Sequence, residues 1–152
     1  EFSWDTLSSR MRETAFLNKN LKITLVDERE LEPRREEYRY SGGIIDFVKY
    51  MNEKKETIHS KPIYFESESA EGLVEIALQW NTSYSETILA FANNINTHEG
   101  GTHLDGFKNA LTRTFNDYAR RQNILKEKDD NLSGEDVREG LTAVISVKLT
   151  EP

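Results

Sequence analysis

The residues best placed to do chemistry lie between positions 98 and 140, and their types point to phosphate contact, not catalysis. At helical spacing Arg113 and Arg120 fall near one another, with Asn109 and Asn116 between them and Lys108 at one edge. Such a strip of cationic and amide groups can touch a nucleic-acid backbone without reading bases. Asp105 and Asp117 dilute its field, and a plain solvated helix face accounts for the same residues.

The other constellations fail on chemical grounds. Gly100-Gly101-Thr102 before a helix offers free amides to an anion, but no lysine follows as a phosphate loop needs; His103 does. His98 and His103 flank that turn, His59 is remote, and there are no cysteines, so no zinc set assembles. Asp129 to Gly140 starts like a calcium loop, yet Gly140 stands where the bidentate glutamate belongs. No nucleophile, base and acid come together. On these grounds no residue is assigned a catalytic, cofactor-binding or metal-binding role.

The elements that must position these groups follow from periodicity. Phe2 to Asn18 has a helical stripe of Trp4, Leu7, Met11 and Ala15, and Leu21 to Val26 reads as a strand. Asp27 to Arg39 is dense in charge and contains Pro33, so it reads as a linker or surface loop. Gly42-Gly43 opens a short amphipathic helix. Pro62 to Phe65, Leu73 to Trp80 and Thr87 to Ala92 read as strands, the last two joined as a hairpin through Asn81-Thr82-Ser83. Trp80, Tyr84 and Phe91 read as packing aromatics of that hairpin. A long helix from Thr102 to Leu125 carries Leu104, Phe107, Leu111, Phe115 and Tyr118 on one stripe, with Thr102 as its N-cap and Asp105 three residues on. Ser133, with Asp136 three residues on, caps a short helix, and Leu141 to Leu149 closes the chain as a strand. Helices and strands in this order imply an α+β fold.

Composition sets outer limits. The chain has 152 residues, enough for one domain with a modest core, with 36% hydrophobic and 31% charged residues. With 20 basic and 27 acidic residues its net charge is −7, so any DNA contact must come from a local basic patch. No apolar run approaches the roughly 20 residues that span a bilayer.

Long stretches resemble the DNA gyrase B family of type IIA topoisomerases: YSGGIIDFVKYMNEKK, VEIALQWNTSYSE, FANNINTHEGGTHLDGFKNALTRTFNDYAR and DDNLSGEDVREGLTAVISVK, with RETAFLNKNLKITLVDERE upstream. The resemblance implies residues 1–30 as the last helix and strand of an ATP-binding domain, 31–41 as a linker, and 42–152 as a transducer domain incomplete at its C-terminus. It implies a fold like ribosomal protein S5 domain 2, a mixed sheet with one long helix packed on it. In the whole protein it implies ATP-driven negative supercoiling by duplex passage, in the cytoplasm, with ATP and Mg2+ as cofactors. The implied partners are DNA, a second copy of gyrase B, and the gyrase A protein. The ATP site and the lysine that reaches its γ-phosphate fall outside these residues, so the piece alone is expected to be inactive. By resemblance Lys108 lines the DNA cavity, and His98 matches a variable position near the same path. The same region of the paralogous topoisomerase IV protein is one alternative; a stand-alone binding module is another. The helix and strand of residues 1–30 are expected to dock on the rest or to self-associate, because alone they leave an apolar stripe and a strand edge uncovered.

Overall fold

The computed structural model describes residues 2–151. Helix α1 (Trp4–Leu17) leads into strands β1 (Ile23–Asp27) and β2 (Arg34–Tyr38), then helix α2 (Ile44–Met51). Strands β3 (Ile63–Ser69), β4 (Gly72–Trp80), β5 (Thr87–Ala92) and β6 (Ile95–Asn96) follow, then helices α3 (Thr102–Arg121) and α4 (Gly134–Arg138) and strand β7 (Leu141–Leu149). The class is α+β, as the element order implied.

Strand β2 corrects the reading of residues 27–39 as loop. It pairs antiparallel with β1, Ile23 opposite Tyr38 and Asp27 opposite Arg34. Its inward side chains are held by polar contacts: the Arg34 guanidinium sits 4.3 Å from the Trp4 ring centre, and the Tyr38 hydroxyl lies 2.6 Å from Ser8 Oγ. Strand β1 is therefore not the orphan that was expected.

The larger sheet has the order β3-β4-β7-β5-β6. All neighbours are antiparallel except β5 and β7, which run parallel. β4 and β5 are thus not a hairpin, because β7 lies between them. The physical reason is apolarity: residues 141–147 of β7 are all buried, and a strand covered on both faces and both edges belongs at the centre. The turn into β7 needs glycine. Gly140 has φ +71, and a Cβ there would meet the Asn81 carbonyl oxygen at 2.3 Å.

Alternation along the strands divides the core between two faces. On one, Ala77, Phe91 and Val144 pack against Ile44, Phe47 and Val48 of α2 and against Phe16 and Leu17 of α1. The Phe16 ring stacks on Tyr40 at 3.8 Å and on Phe47 at 4.6 Å, so the N-terminal helix docks within its own chain. On the other face Ile76, Leu78, Ala90, Ala143, Ile145 and Val147 pack against Phe107 of α3. Tyr84 is exposed and packs with neither strand, another correction, whereas Trp80 meets Phe115 with ring centres 5.4 Å apart.

Candidate nucleic-acid interface

α3 is positioned by Leu104, Phe107 and Leu111, which bury one side and turn the other outward. Its N-cap is Gly101, at φ 125, with no side-chain cap bond; Thr102 is the first helical residue and not the cap. The helix ends at Arg121, short of the expected Leu125. Asn123, with φ 56, reverses the chain. The Ser133 and Asp136 capping box opens α4 as its sequence indicated.

Along the polar side of α3 the cations have unequal circumstances. Arg120 is committed to structure: its guanidinium donates to the carbonyl oxygens of Lys126 (2.6 Å) and Asp129 (2.7 Å) and to Asn131 Oδ1 (2.8 Å). Asn116, placed on the same strip by helical spacing, is buried. It receives a 2.7 Å bond from the Leu132 amide and donates to the Leu132 carbonyl at 3.0 Å. Together these two residues hold the loop between α3 and α4.

Lys108 and Arg138 share one carboxylate. Lys108 Nζ lies 3.1 Å from Glu86 Oε1, and Arg138 Nε donates to Glu86 Oε2 at 2.9 Å. Burial pushes the Glu86 carboxyl upward, but bonds and charge from Arg138 and Lys108 outweigh it and hold it below the usual range. Arg113 differs: it is exposed and has no hydrogen bond or ion pair among the described residues. It lines an open polar groove of about 590 Å³ between α3 and α4 with Asn109, Thr112, Asp117, Asn131 and Arg138. His98 is exposed in the β6–α3 loop, apart from that groove.

The strip is therefore not continuous. Arg113 is exposed in the groove, Arg120 is bonded to the loop that follows α3, and Arg138, absent from the sequence candidates, also lines the groove. Glu86 and Arg138 are 52 residues apart, so no local pattern joins them. No group of three or more His, Asp or Glu residues converges among the described residues, and the Gly100-Gly101 turn carries His103 where a phosphate loop would carry lysine. Among the described residues no helix is long and apolar enough to cross a membrane.

The family model described as DNA gyrase B matches residues 43–152. The chain belongs to the DNA gyrase B family. The DNA gyrase B protein of Clostridium acetobutylicum is 60% identical over 100% of this chain and 24% of that protein. That of Halalkalibacterium halodurans is 57% identical over 99% of the chain, again 24% of the relative. The chain thus spans about a quarter of the length of these gyrase B relatives. Among solved structures, the 43K ATPase domain of Thermus thermophilus gyrase B, in complex with an aminocoumarin, matches the whole chain at a TM-score of 0.86 and 36% identity, over 41% of that domain. The topoisomerase IV ATP-binding domain of Francisella tularensis matches at 0.77 and 22% identity, which shows the shared fold alone.

Proposed function

We propose that this chain is the mechanical link of a gyrase B protein, carrying the closure of an ATP-driven gate to the part that holds DNA. The observation that carries this reading is the match of the whole chain to part of the Thermus thermophilus gyrase B ATPase domain. Residues 1–30 then complete the ATP-binding domain, residues 42–152 form the transducer, and the stretch 31–41, which contains β2, joins the first of these. Phe16 and Leu17, packed into the α2 face of the larger sheet, give the two parts one continuous core through which a movement can pass.

In this reading the whole protein is one component of a type II topoisomerase that supercoils DNA in the cytoplasm. It works with the gyrase A protein and a second copy of gyrase B, and ATP and Mg2+ are held by residues outside this chain. The contribution to DNA is a backbone contact. Arg113 carries it in the groove between α3 and α4, with Lys108 available once it exchanges Glu86 for a phosphate and His98 at the loop beside the helix. Arg120 has no part in it.

The test uses the full-length protein together with the gyrase A protein. Arg113→Gln is expected to reduce the stimulation of ATP hydrolysis by DNA while basal hydrolysis is kept. Stimulation equal to wild type in Arg113→Gln and in Lys108→Gln would remove this face from the DNA path.

A further inference from the structure

The segment between α2 and β3 has no regular structure of its own, yet it is tied to the end of β4 by a short ladder. Ile58 N donates to Trp80 O at 2.9 Å, Thr82 N donates to Glu56 O at 2.9 Å, and Thr57 pairs with Asn81 as an isolated bridge. The remaining rung is unusual. The Trp80 backbone N–H donates, at 3.0 Å, to the ring nitrogen Nε2 of His59 and not to a carbonyl. The imidazole stands in for a peptide acceptor. Its other nitrogen, Nδ1, lies 2.8 Å from the Lys61 carbonyl oxygen, which can only accept. Both contacts are satisfied by one species, the neutral ring with its proton on Nδ1.

That arrangement has no place for a second proton. Protonation turns Nε2 into a donor facing the Trp80 N–H, so the rung is lost and the ring must turn away. Asp136 of α4 and Glu139 just after it line the same cleft as His59, together with Trp80 and Phe115. The residues that face it from β4 and α3 are uncharged, and Glu56 and Lys61 flank it in its own segment. The imidazolium therefore finds carboxylates on the α4 side when it leaves β4.

We propose that His59 is a proton-sensitive latch: neutral, it clips residues 57–61 to β4; protonated, it swings toward Asp136 and Glu139 and frees that segment. The latch is connected beyond its own loop. Gln79 Nε2 donates to the His59 carbonyl at 2.8 Å, and Asn52 Nδ2 donates to Gln79 Oε1 at 3.1 Å. Asn52 Oδ1 in turn accepts from Thr142 Oγ1 at 2.8 Å and from Asn81 Nδ2 at 3.0 Å. This buried chain joins the segment to the C-terminus of α2 and to central strand β7. The Trp80 indole adds a second branch, donating Nε1–H to Val137 O at 3.0 Å. Release of the clip loosens the start of edge strand β3 and the packing of Trp80 between α3 and α4.

The experiment is amide hydrogen exchange by NMR on the intact chain, between about pH 8 and about pH 5.5. Rates are corrected for the intrinsic pH effect and referred to the Ile76 and Val144 amides of the same sheet. The protection of Trp80 N–H is expected to fall at least roughly tenfold relative to those amides as the ring takes its proton. In His59→Gln, whose side-chain oxygen accepts at all pH values, the relative protection is expected to stay level. A level profile in wild type, or the same fall in His59→Gln, overturns the proposal. If His59→Gln does not fold, the ring nitrogen shifts of wild type decide at the upper pH. The Nδ1–H tautomer supports the latch, and the Nε2–H tautomer overturns it.

Discussion

Arg113 and Arg120 are two turns apart on one helix, and the difference between them lies in what each guanidinium touches. Arg120 spends its donors on two carbonyls and an amide oxygen of the following loop. Arg120→Ala leaves those acceptors to water and should lower stability by about 1–3 kcal/mol in urea unfolding. Arg113→Ala should stay within about 0.5 kcal/mol of wild type. The opposite ranking would show that the loop is held by something else. Glu86 gives a pH signature. Its carboxyl is held below its ordinary value in the folded state, so its stabilisation is complete above the unfolded value and is lost as pH falls through the lower folded one. The stability difference between wild type and Glu86→Gln should be largest near neutrality and shrink toward zero in acid. A difference that grows as pH falls would reverse the sign assigned to Glu86.

Among the elements, α1 meets the larger sheet and α2 chiefly through an aromatic residue. Phe16 is enclosed by Tyr40, Phe47 and Tyr50 and touches the core formed by Ala77, Phe91 and Val144. Phe16→Ala should cost about 3–5 kcal/mol. It should also make residues 4–38 sensitive to protease before the five-stranded sheet is cut; simultaneous cleavage of both parts would mean that they unfold as one unit. What the sequence revealed here depended on how each element is held. α2 and α3 are held by apolar periodicity and β4 and β7 by largely apolar runs, and these patterns identify them. β2 is RREEY, and its inward face works through a cation stacked on Trp4 and hydroxyl bonds to Ser8, so no alternation of apolar residues betrays a strand. The supposed β4–β5 hairpin failed because adjacency in the chain favours it, whereas the strand that separates them begins only at Leu141. The basic groove was half legible for the same reason: helical spacing finds Arg113, but Arg138 arrives from another element.

For the whole molecule the dominant electrostatic fact is a net charge of −7, against which the groove of Arg113 and Arg138 is small. The isolated chain should bind duplex DNA no tighter than about 10⁻⁴ M at physiological salt, with no sequence preference and a steep loss as salt rises. Fluorescence anisotropy with two unrelated short duplexes checks this, and sub-micromolar or selective binding would contradict it. The place of β7 has a further effect, on how the protein is made. This strand follows the other described elements in sequence and yet forms the middle of the sheet, joining β3-β4 to β5-β6. While a ribosome is still adding residues before Leu141, the two halves have no partner for their inner edges, and the contacts that join them are of long range in sequence. Synthesis therefore passes through a stage at which β4 and β5 each present an apolar open edge, and a pause or premature stop there releases a chain prone to pair with its neighbours.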